Sequence, residues 1–260
     1  MRLAVEQDGE ATRPPLVLLH GWALHSGVWG GASHGARARL AARYRLHLID
    51  LPGHGRNAGV TPAADAAGLA AQLLEVAPPR AHWLGWSLGG VVALAAALAA
   101  PARVAKLVLT ATTPRFVQAP GWPQAQSEAA LAQFEAGIRR DLRGVVRDFL
   151  ALQVLGDERA QATLHELKAR VLDGGEPSPA ALAAGLAVLQ ATDLRASAAA
   201  LAVPLLGISG ARDRLTPPGA LAWLCAAVPD GRHLAVAGAA HAPFLSHPDE
   251  FCLALEGFLA

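Results

Sequence analysis

The chain has 260 residues, enough for one large α/β domain or for a core with a small inserted cap. Hydrophobic residues make up 53% of it and charged residues 17%, which excludes a disordered chain; a net charge of +1 makes no overall electrostatic case for nucleic acid or a membrane surface. Two cysteines, Cys225 and Cys252, make no disulfide framework and lack metal-site spacing, so both read as buried apolar residues.

Met1 to Arg13 is polar and lacks the basic and apolar regions of a secretory signal, and no apolar run is long enough to span a bilayer. A soluble cytoplasmic protein is expected. Leu3-Ala4-Val5 offers an edge strand. Leu16-Val17-Leu18-Leu19 reads as a buried strand ending at His20-Gly21-Trp22, and Leu46 to Asp50 as a second, ending at Leu51-Pro52-Gly53. Residues 81–85 and Ala105 to Thr110 follow. Continuous aliphatic strands separated by helical stretches indicate a parallel sheet covered on both faces. After Pro114 no convincing strand appears until Pro204 to Gly210 and His233 to Val236. Helix-like segments instead occupy 124–140, 141–155, 158–172 and 178–190, broken at Pro120, Gly121, Gly156, Gly174-Gly175 and Pro177-Pro179. The expected class is α/β: residues 1–113 and 191–260 form a mostly parallel sheet flanked by helices, and 114–190 an inserted helical lid.

The pentapeptide Gly85-Trp86-Ser87-Leu88-Gly89 joins the third strand to an apolar helix beginning near Val91. Glycines two residues either side of Ser87 let the backbone bend tightly, lifting the serine to the apex of a strand–turn–helix corner. That is the G-x-S-x-G nucleophile elbow; read more plainly, it is a glycine-rich turn that packs a helix closely. A serine nucleophile needs a base, and the base needs an acid to hold its tautomer. Asp213 follows one late strand and His241 the next, in the order Ser, Asp, His and at strand C-termini. The plainer readings are a loop aspartate capping the helix near Pro217-Pro218 and a structural loop histidine. Asp50 precedes Ser87 and so breaks the order, and Asp193 has no strand before it. His20, His54 and His247 do not fall between the last strand and the last helix. Backbone N–H groups of Leu88 and Trp22 are the expected oxyanion donors. His20 is expected to order its loop, and the Trp22 ring to pack in the core or cover an acyl chain. By pattern alone, Phe149 to Leu152 is the buried face of a helix.

His20-Gly21-Trp22, Asp50-Leu51-Pro52-Gly53, Gly85 to Gly90, Phe149-Leu150-Ala151-Leu152-Gln153 and Ala239-Ala240-His241-Ala242-Pro243-Phe244 occur together in one known family. On these motifs, over nearly its whole length, the chain resembles the BioH family, the pimeloyl-[acyl-carrier protein] methyl ester carboxylesterases of biotin synthesis, within the α/β-hydrolase superfamily. The resemblance implies an α/β-hydrolase fold and hydrolysis of a carrier-bound methyl ester to pimeloyl-carrier protein and methanol. It implies Ser87 as nucleophile, Asp213 as orienting acid and His241 as base, with no cofactor or metal. Trp22 and Leu88 would line the oxyanion site, and Phe149, Leu150, Ala151, Leu152 and Gln153 the acyl channel. The implied partner is an acidic acyl-carrier protein, met by lid cations (Arg139, Arg140, Arg143, Arg147, Arg159, Lys168, Arg170), although Asp148 and Thr163 stand where the family pattern would place cations. A monomer is the expected state. Other readings are a carboxylesterase acting on small free esters, a C–C bond hydrolase or lyase, and a non-catalytic ligand sensor on the same fold. Ser87 argues against dehalogenases and epoxide hydrolases, which carry aspartate at the elbow.

Overall fold

A computed structural model describes residues 2–33, 35–172 and 178–260; the expected breaks at Gly174-Gly175 and Pro177 lie outside the described residues. In chain order the elements are β1 (Val5–Asp8), β2 (Pro15–Leu19), α1 (Gly35–Ala41), β3 (Arg45–Ile49), α2 (Ala66–Leu74), β4 (Ala81–Trp86), α3 (Leu88–Ala99) and β5 (Val104–Thr110). Then come α4 (Glu128–Arg140), α5 (Leu142–Gln153), α6 (Ala160–Leu172) and α7 (Pro179–Ala191). The chain closes with β6 (Leu205–Gly210), α8 (Pro218–Ala227), β7 (Gly231–Val236), α9 (Pro243–Ser246) and α10 (Pro248–Leu259).

Among the described residues seven strands form one sheet in the order β1-β3-β2-β4-β5-β6-β7, parallel except for β1, which runs antiparallel to β3. Side-chain alternation divides the core in two. Leu16 and Leu18 point to one face, where they join Leu40, Phe244, Phe251 and Leu255. Val17 and Leu19 point to the other, among Leu69, Leu73, Val92 and Leu221. Covered on both faces, the central strands carry no polar alternation, which is why they read as unbroken aliphatic runs. Helix α3 is apolar nearly all round because the sheet, α2 and α7 enclose it.

Two boundaries differ from the sequence expectation. The edge strand is Val5–Asp8, not Leu3 to Val5: Leu3 is buried in the core, while Glu6 and Asp8 on the strand both bind Arg37 at 2.7 Å. A charged edge carries no aliphatic signal, and it blunts pairing with other chains. Helix α4 begins at Glu128, not 124, because Gly121 turns the chain at φ 72° and Val117 pairs with Gln126. Ser127 then caps the helix, its side chain accepting the Ala130 N–H.

Candidate active site

Ser87 sits between β4 and α3 with φ 54° and ψ −120°, in the left-handed half of the map that L-residues avoid. The surroundings impose this conformation. Ser87 donates its N–H to the Thr110 carbonyl at 3.1 Å, and the Thr112 hydroxyl donates to the Ser87 carbonyl at 2.7 Å. A Cβ at Gly85 would meet the Gly89 carbonyl oxygen at 2.4 Å, and one at Gly89 the His20 carbonyl oxygen at the same distance. Both glycines are therefore required by close backbone approach.

Asp213 and His241, 28 residues apart, meet in the interior: His241 Nδ1 donates to Asp213 Oδ2 at 2.8 Å. The other carboxylate oxygen accepts the N–H groups of Leu215 (2.8 Å) and Thr216 (2.9 Å). The Thr216 hydroxyl adds a bond to Oδ2 at 2.7 Å. With its proton on Nδ1, the ring carries its lone pair on Nε2, which is buried and has no hydrogen-bond partner among the described residues. The Trp86 indole donates to the His241 carbonyl at 2.8 Å, which ties the histidine to the residue preceding Ser87.

Gly21 passes so close to the elbow that a Cβ there would stand 3.2 Å from the Ser87 Cβ. The neighbouring Trp22 N–H donates to no group among the described residues. The Leu88 N–H belongs to the first turn of α3, whose N–H groups have no intrahelical acceptor. His20 braces this corner, donating from Nδ1 to the Gly21 carbonyl (2.8 Å) and accepting the Leu51 N–H on Nε2 (2.8 Å). Burial, reinforced by the neighbouring His54, pushes the His20 pKa down to about 3, so the ring is a neutral brace.

A cavity of about 270 Å³ opens beside Trp22 under α4, α5 and α7. Its inner wall is apolar, with Trp22 packed edge-on to Phe149 at 4.8 Å between ring centres. Of the expected channel residues, Phe149 and Leu152 line it, one helical turn apart on α5. Leu150 points instead into the core on the far face of the sheet, Ala151 is exposed, and Ser87, Leu88 and Gln153 are not in the cavity wall. Gln153 is fully buried; its carbonyl accepts the His241 N–H at 3.0 Å.

Two residues around the site, Thr216 and Asp157, lie in no motif, and Trp86, within the elbow, takes a role its position there did not assign. Buried Asp157 accepts the Ala240 N–H at 2.9 Å, and the Glu158 N–H donates to the Gly238 carbonyl at 3.0 Å. The junction of α5 and α6 is thus bonded to the loop that carries His241. The rival acids serve elsewhere. Asp50 accepts the N–H groups of Ser26 and Arg56, and Asp193 is held well below the usual carboxylate range, first by Arg195 and also by Arg115. Arg170, one of the expected docking cations, is buried and donates to the Val28 carbonyl at 2.6 Å, so it fastens α6 to the core.

Residues 16–254 match the alpha/beta hydrolase family. Curated relatives bear the name pimeloyl-[acyl-carrier protein] methyl ester esterase. The protein from Edwardsiella ictaluri is 46% identical over 245 residues, covering 94% of this chain and 93% of its own. The one from Xanthomonas axonopodis pv. citri is 44% identical over 247 residues, 95% of each. Among solved structures, a hydrolase from Pseudomonas aeruginosa PA01 shares 27% identity with a TM-score of 0.78, covering 99% of this chain and 94% of its own. The esterase RhEst1 from Rhodococcus sp. ECU1013 shares 26% identity, also with a TM-score of 0.78, covering 98% and 93%.

Proposed function

Since the chain belongs to the alpha/beta hydrolase family and, within it, to the pimeloyl-[acyl-carrier protein] methyl ester esterases, we propose that it hydrolyses the methyl ester of pimeloyl-carrier protein to pimeloyl-carrier protein and methanol, a step of biotin synthesis. Ser87 is the nucleophile. His241 Nε2 takes the hydroxyl proton as Oγ attacks the ester carbonyl, and Asp213 holds the imidazole in the required tautomer. The oxyanion falls to the Trp22 and Leu88 N–H groups, each worth roughly 2.7–4 kcal/mol in the barrier. The imidazolium returns its proton to the departing methoxide, which leaves as methanol. Water, deprotonated by Nε2, then attacks the acyl-enzyme; the acid is released and Ser87 restored.

Residues 114–190 act as the lid over a core of 1–113 and 191–260, and the cavity between α4, α5 and α7 takes the apolar middle of the acyl chain. Among the described residues no helix is long and apolar enough to cross a membrane, and the reading sets the protein in the cytoplasm as a monomer.

The observation that carries this reading is the buried Asp213–His241 pair, with Nε2 unpartnered, bonded through Trp86 to a strained serine elbow. The test is growth of a biotin-requiring strain that lacks its own esterase. The wild-type gene is expected to restore growth and Ser87→Ala to fail. If wild type turns over p-nitrophenyl esters yet cannot restore growth, the enzyme is instead a carboxylesterase for small free esters.

A further inference from the structure

A carrier-bound substrate reaches the serine through an arm, so its carrier must rest where the cavity meets solvent. The exposed residues of the cavity wall mark that mouth: Leu152 at the end of α5, Arg214 in the loop after β6, and Gln133 on α4. Two features gather there. Leu152 and Leu155 are 37% and 45% exposed, two of only four large hydrophobic side chains left exposed among the described residues. Beside them stand Arg212 and Arg214, both exposed, on either side of buried Asp213. The two pieces touch, since Arg212 Nη1 donates to the Gly156 carbonyl at 3.2 Å.

Neither guanidinium has a carboxylate partner among the described residues. The nearby acids are occupied: Asp213 by Leu215, Thr216 and His241, Asp157 by Ala240 and Arg159, and Glu158 by His247 at 3.0 Å. Two of the expected lid cations are less available, whereas Arg159 and Lys168 are exposed on α6 and its approach. Arg170 is buried, and Arg147 lies 3.5 Å from Asp148. An apolar step flanked by uncompensated arginines suits a small acidic protein that presents its own apolar residues among carboxylates.

We propose that this rim, Leu152 and Leu155 with Arg212 and Arg214, is the docking face for the acidic acyl-carrier protein. The assignment rests on the function proposed above but moves the contact from the lid cations to the loop after β6. Arg212 and Leu155 are the useful probes, because neither lines the cavity.

The experiment compares kcat/KM for pimeloyl-carrier methyl ester with that for dimethyl pimelate in wild type, Arg212→Glu, Arg212→Lys and Leu155→Asp. At low salt Arg212→Glu and Leu155→Asp should each lose about tenfold or more on the carrier-linked ester, while dimethyl pimelate changes by less than about twofold. Arg212→Lys should stay near wild type, and the Arg212→Glu deficit should shrink as salt screens the contact. A wild-type preference for the carrier-linked ester that survives both Arg212→Glu and Leu155→Asp overturns the docking face alone. A wild type with no such preference overturns the carrier-linked function as well.

Discussion

The carbonyl of Gln153, the last residue of α5, accepts the backbone N–H of His241 at 3.0 Å. The proposed base, His241, is therefore held from three sides: its ring by Asp213, its carbonyl by Trp86, and its N–H by a helix from the segment between β5 and β6. Asp157 extends this hold by taking the N–H of Ala240, the residue before the histidine.

Asp157 should thus be a positioning residue for His241. Asp157→Ala leaves a buried N–H unsatisfied, a cost of about 1–3 kcal/mol that the histidine loop relieves by shifting. A kcat about tenfold lower on a p-nitrophenyl ester, with KM little changed, is expected; Asp157→Asn, which keeps an acceptor oxygen, should recover most of the rate. A fall in melting temperature with kcat intact would make the residue merely structural.

The elbow stores strain, since Ser87 adopts φ 54° without being glycine. Ser87→Gly should relieve about 1 kcal/mol and raise Tm by about 2–4 °C while abolishing ester turnover. Ser87→Ala keeps the side-chain β-carbon and the strain, and should lose activity without that gain. Thermal denaturation of the two variants side by side gives the answer.

His20 supplies a pH dependence of stability rather than of chemistry. Burial pushes its pKa in the folded protein down to about 3, from about 6.5 for a free imidazole. Below about pH 6.5 the unfolded chain takes up a proton that the folded chain refuses. The contribution is complete above that pH and is lost as the pH falls toward 3. Denaturant midpoints for wild type and His20→Gln, at about pH 7.5 and about pH 5, should show the steeper loss in wild type. Parallel losses would place a charged His20 in the folded state.

The placement of Ser87, Asp213 and His241 was legible because each follows a readable strand, and the proposed chemistry fixes their order. The helpers were not. Thr216 reads as an ordinary residue before Pro217, and Asp157 reaches Ala240 across 83 residues. No local pattern encodes a bond that exists only once two distant loops meet. The split within 149–153 was within reach, because residues three apart on a helix share a face and adjacent ones do not. The charged edge strand could not be read from apolar runs, since Arg37 satisfies it from another element.

The bonds from Gln153, Asp157 and Glu158 to residues 238–241 also bear on modular engineering. Helical insertions are tempting cassettes to trade between enzymes of one architecture when a new substrate is wanted. In this protein the segment between β5 and β6 supplies acceptors to the loop of the proposed general base. A donor cassette without an equivalent turn between its second and third helices would bring its pocket along and leave the recipient's histidine unsupported. A graft that keeps residues 153–159 native and varies α4 and α7 alone would alter the pocket without touching that support.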